Sequence, residues 1–74
     1  MELATLQERA LDAARQITDP KDRSIEIASL AMLRSAGERA ELIEEAVAAA
    51  EAIGDPKNRT QALTFAIVAS TKKA

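Results

Sequence analysis

Ile17-Thr18-Asp19-Pro20-Lys21-Asp22-Arg23 returns 36 residues later as Ile53-Gly54-Asp55-Pro56-Lys57-Asn58-Arg59, and that return decides the fold. Working back from each copy, Glu2, Ala4, Leu6, Glu8, Ala10, Ala13 and Ala14 line up with Glu38, Ala40, Leu42, Glu44, Ala46, Ala49 and Ala50. Twelve of the 22 positions from Glu2 to Arg23 are identical to their counterparts, more than alanine richness alone supplies. A period of this size marks a helical repeat array. In each copy the Asp is suited to cap a helix N-terminus, and the Pro to occupy the first helical position, where its missing N–H would have had no partner.

Outward from these corners, Asp19-Pro20, Gly37 and Gly54-Asp55-Pro56 cut the chain into four segments rich in good helix formers. The cuts predict four helices over roughly 2–18, 20–36, 38–53 and 56–73. Tight connections make neighbours antiparallel. The expectation is an all-α fold of two tandem αα-hairpins, a solenoid or four-helix bundle, with repeat one at 2–37 and repeat two at 38–73 of a single domain covering 1–74. Gly54 is expected to close the third junction in the left-handed conformation. Thr18 stands in its place in the first copy, and a β-branched residue is penalised there, so that turn is expected to differ in shape.

With 74 residues the core is thin, and chains of this size often rely on a disulfide, a metal or a partner subunit. The chain has no Cys and no His, which removes the first and takes away the best transition-metal ligands. No cofactor is expected. Ten Lys and Arg against twelve Asp and Glu give none of the dense basic footprint of a nucleic-acid binder. No apolar run approaches the ~20 residues of a membrane span, and no secretory leader is recognisable, so the expected location is cytoplasmic.

At 100° per residue, Leu3, Leu6, Ala10, Ala13, Ala14 and Ile17 fall on one side of the first helix and the charged residues on the other. The third helix repeats this with Leu42, Ile43, Ala46, Val47, Ala50 and Ile53. Both are expected to be outer helices. The second and fourth carry apolar residues on two sides and are expected to be inner ones. In the fourth, Leu63 and Ile67 are expected to turn toward the chain. Phe65 and Val68, with Ala62 and Ala69 beside them, would then face outward as a partner-contact surface, two-fold dimerisation through this helix being the favoured assembly.

The run Leu42-Ile43-Glu44-Glu45-Ala46 through Ala49-Ala50 to Ile53-Gly54-Asp55-Pro56, followed by the helix around Phe65-Ala66 and matched by the copy from Leu6 to Pro20, resembles the tetratricopeptide-like helical repeats. The resemblance spans nearly the whole chain. It implies helix pairs stacked into a superhelix whose concave face holds peptides or partner proteins, and it implies no chemistry. The period of 36 exceeds the roughly 34 residues usual in that family, and Phe65 is the sole aromatic residue.

Candidate chemistry is sparse. Catalysis would have to rest on carboxylates, and Glu41, Glu44, Glu45 and Glu51 read more simply as a solvated helix face. Lys21, Arg23, Lys57 and Arg59 could offer a ladder of cations to an acidic peptide. The simpler reading makes the corner structural, with each Arg bonding an acid or carbonyl of the adjoining repeat. The sequence therefore points to a non-enzymatic interaction or assembly module that binds a protein partner or itself. The alternative is a stand-alone repeat unit with no ligand.

Overall fold

A computed structural model describes residues 2–71, and these form four helices: α1 (Leu3–Arg15), α2 (Pro20–Ala31), α3 (Ala36–Glu51) and α4 (Pro56–Thr71). The fold is all-α, a small helical bundle with no strand among the described residues. The expected continuation of the last helix through Lys73 lies outside them. The chain zigzags: α1 lies against α2, α2 against α3, α3 against α4, and α2 and α4 also adjoin. The backbone of α1 approaches only α2. The Cα trace measures 39 × 26 × 13 Å, a slab about two helices thick given a Cα radius near 2.3 Å and axes 8–10 Å apart.

Both Asp-Pro corners are built alike, bond for bond. Asp19 and Asp55 each accept a hydrogen bond at Oδ2 from the amide three residues on, Asp22 and Asn58, at 2.9 Å. The preceding helices end in matching tight turns: the Gln16 and Ile17 amides bond the Ala13 and Ala14 carbonyls, as those of Ala52 and Ile53 bond Ala49 and Ala50. Arg23 Nη1 donates to the Ile17 carbonyl at 2.9 Å, and Arg59 Nη1 to the Ile53 carbonyl at 3.1 Å. These expectations need correction on two counts. Gly54 does not take a positive φ, so Thr18 in its place costs nothing and the turns share one shape. Each Arg caps a carbonyl of its own corner and not one from the adjoining repeat.

The middle junction also departs from expectation. Helix α2 stops at Ala31, five residues early, where the Leu33 and Arg34 amides bond back three residues to Leu30 and Ala31. Helix α3 starts at Ala36 with Ser35 as an extended N-cap, so Gly37 lies inside its first turn and the boundary drawn after Gly37 falls within a helix. Ser35 Oγ approaches Glu38 Oε1 at 3.4 Å. The Ser35-x-x-Glu38 spacing is that of a capping box and was the available signal for this start.

Alanine makes the interior. Buried apolar side chains are Leu11, Ile27, Leu42 and Ile53 among nine alanines, and side chains this small let helices approach closely. Ser24 bridges two helices: fully buried on α2, it donates to the Ala46 carbonyl of α3 at 2.7 Å. Helix α2 is inner, as expected. Helix α3 is not a one-sided outer helix, because it packs on both α2 and α4 and buries Arg39, Leu42, Ala46, Ala49 and Ala50.

Candidate functional site

Exposed large apolar side chains lie on α1, on α4 and, at Leu33, in the connection from α2 to α3. On α1, Leu3 and Leu6 are 69% and 54% exposed, and Ala10 and Ala13 continue the same open face. On α4, Ile67 and Val68 are 63% and 55% exposed. The rotation of α4 therefore differs from the expected one. Ile67 turns outward, while Phe65 is half-buried against the main core and Leu63 packs beside Ala50, Ile53 and Ala62. Of the four expected partner-contact residues, Ala62 and Ala69 are covered by the chain itself, Phe65 is half covered and Val68 alone stands open. Sequence spacing gave α4 two apolar sides; it could not say which of them the alanines Ala62, Ala66 and Ala69 would bury.

Two shallow clefts indent the surface. One, about 270 Å³, lies between the start of α3 and the end of α4 and is lined by Ala36, Arg39, Ala40, Ile43 and Ser70. The other, about 340 Å³, lies where α1, α2 and α3 meet and is bordered by Arg15, Arg23, Ile27, Glu45, Ala48 and Ala49. Neither brings a nucleophile beside a base. Among the described residues no three acidic side chains converge as a metal site would need.

The charged groups singled out in the sequence serve the frame. Arg15 donates from Nε and Nη2 to both oxygens of Glu45 at 2.7 and 2.9 Å, a forked pair tying the end of α1 to α3. This hydrogen bond, more than the opposing desolvation, holds the Glu45 carboxyl below its ordinary range and raises the Arg15 guanidinium. Lys21 Nζ donates to Asn58 Oδ1 at 3.2 Å, so the two corners sit side by side. With Arg23 and Arg59 turned onto carbonyls, three of the four cations of the supposed ladder are engaged within the chain.

No protein-family model, curated protein or solved structure matches this sequence. No helix among the described residues is long and apolar enough to cross a membrane.

Proposed function

We propose that the chain is a non-enzymatic interaction module, a tetratricopeptide-like hairpin array that associates with protein, including itself, through the open faces of α1 and α4. The observation that carries this reading is the exposure of Leu3, Leu6, Ile67 and Val68 on a fold whose other large aliphatic side chains, apart from Leu33, are buried or half-buried. Leaving such side chains in water forgoes roughly 1.5–3 kcal/mol each that a covering surface would recover. The lack of His and Cys in the sequence is compatible with a contact role. The test is site-specific photocrosslinking in cells with the reactive group placed at Leu6 or Ile67, and at Glu8 or Gln61 as wet-face controls. Protein adducts should concentrate at the first pair. Equal yields at all four positions would overturn the interaction reading.

A further inference from the structure

Sliding the structure along its own repeat matches each open face with a buried surface. The buried face of α3, on which Ala46 accepts the bond from Ser24 of α2, carries Arg39, Leu42, Ala46 and Ala49. Thirty-six residues earlier stand Leu3, Leu6, Ala10 and Ala13, all exposed. The buried positions of α2 are Ser24, Ile27, Ala28 and Ala31; thirty-six residues later stand Thr60, Thr64 and Ile67, exposed, and Leu63, half-buried. So α1 offers the surface on which α3 receives α2, and α4 offers the surface that α2 inserts. We propose that copies of this chain stack head to tail, α4 of one copy seated on α1 of the next in the way α2 is seated on α3. This specifies the partner and polarity of the self-association proposed above, and rests on that reading.

The polar bonds between the two hairpins supply an independent argument. Inside the chain, those between a helix of the first hairpin and a helix of the second run from Arg15 to Glu45, from Lys21 to Asn58, and from the Ser24 hydroxyl to the Ala46 carbonyl, apart from the short-range bonds of Arg34 and Ser35 at the connection from α2 to α3. Across a junction the first partner moves forward by 36 residues and the second moves back by 36. Arg15–Glu45 becomes Glu51 with Arg9 of the next copy, the charges exchanged between the two sides and still opposite. Lys21–Asn58 becomes Lys57 with Asp22 of the next copy, a hydrogen bond turned into an ion pair. Ser24–Ala46 becomes the Thr60 hydroxyl with the Ala10 carbonyl of the next copy; that hydroxyl now bonds the Pro56 carbonyl of its own helix. All four charged residues and Thr60 are exposed in the single chain. Three internal links thus map onto three complementary external ones, although Arg15 and Glu51, like Glu45 and Arg9, share no chemistry that duplication alone would have preserved. Thr64 and Ile67 are larger than the alanines they match, which sets the copies somewhat further apart there than α2 and α3.

Such contacts are heterologous, since one end of a copy meets the other end of the next, and they do not close on a dimer. They extend the solenoid already begun inside the chain. Light scattering coupled to size exclusion over a concentration series should show a mass that climbs past two chains. Leu6→Glu spoils only the α1 end and Ile67→Glu only the α4 end. Each is a surface change, and unaltered helical circular dichroism checks that the fold is kept. Each variant alone should associate at least roughly tenfold more weakly than the parent chain, because a buried charge now opposes the contact. Mixed in equal amounts they should form a two-chain species, the sound α4 of one on the sound α1 of the other. Lys57→Glu should weaken association, and adding Asp22→Lys should restore it. A 7.9 kDa monomer at every concentration overturns the proposal, as does a mixture that stays monomeric. So does a dimer abolished by Ile67→Glu and indifferent to Leu6→Glu, the signature of two-fold pairing through α4. A monomer that nevertheless crosslinks another protein at Leu6 or Ile67 sinks head-to-tail assembly and leaves the interaction reading standing.

Discussion

Gly54 and Asp55 are adjacent, yet substitution by alanine should move stability in opposite directions. Asp55 caps α4 through the Asn58 amide, and loss of such a cap costs about 1 kcal/mol. Gly54 has no positive φ, and a Cβ built there meets nothing within 4 Å. Alanine fits without strain and narrows the unfolded ensemble, which stabilises by about 0.4–1 kcal/mol. Chemical denaturation of the two variants is the check, and a Gly54→Ala chain weaker than the parent would mean that the corner needs a glycine after all. The Asp caps were legible in the sequence because a cap depends on residues within one turn of it. The glycine was misread for the complementary reason. The helix before it closes with three-residue amide bonds and the guanidinium of Arg59, five residues further on, and that closure leaves no role for a left-handed residue.

Each helix was legible as a helix, but its environment was not, and the equivalent faces of α1 and α3 show why. Leu6, Ala10 and Ala13 repeat Leu42, Ala46 and Ala49 in spacing and identity, so no pattern within either segment separates them. One set is buried because other helices pack over α3, and the other is open because none of the described residues covers it. Burial of a helical stripe is a property of its neighbours. What holds α1 in place besides α2 is the forked pair from Arg15 to Glu45. Its pH dependence follows from the depressed Glu45 carboxyl. A group whose folded pKa lies below its unfolded value stabilises above the unfolded value, near 4.5, and that contribution is lost as pH falls through the folded one. Both side chains are partly exposed, so the pair is worth about 0.2–1 kcal/mol once screened. Thermal unfolding of the parent and Glu45→Gln chains should therefore differ at neutral pH and converge below the carboxylate range. A constant difference across that range would show that the pair does not contribute as an ion pair.

A slab two helices thick cannot surround its own interior, and its stability should be graded along its length. Helix α2 adjoins all three others, α3 and α4 adjoin each other, and the backbone of α1 approaches only α2, the Arg15–Glu45 pair being its side-chain tie to α3. In α1 only Leu11 and Ala14 are buried, against five residues in α3. Opening α1 uncovers little, so it should be the first cooperative unit to detach, with α2, α3 and α4 holding together behind it. Native-state hydrogen exchange in dilute solution should find the α1 amides exchanging through an opening cheaper than the one that exposes α2 and α3. Leu11→Ala should lower protection chiefly in α1. Ile27→Ala, which empties the centre of the bundle, should cost about 2–5 kcal/mol and lower protection in every helix. Uniform protection across the four helices would refute the graded picture. If copies stack as proposed, raising the concentration covers the open face of α1 and slows exchange there, even while the amides of α2 and α3, already shielded within the chain, are much less affected. The weakest element of the single chain would then be the one that assembly stabilises most, because among the described residues it is the helix with the fewest neighbours of its own.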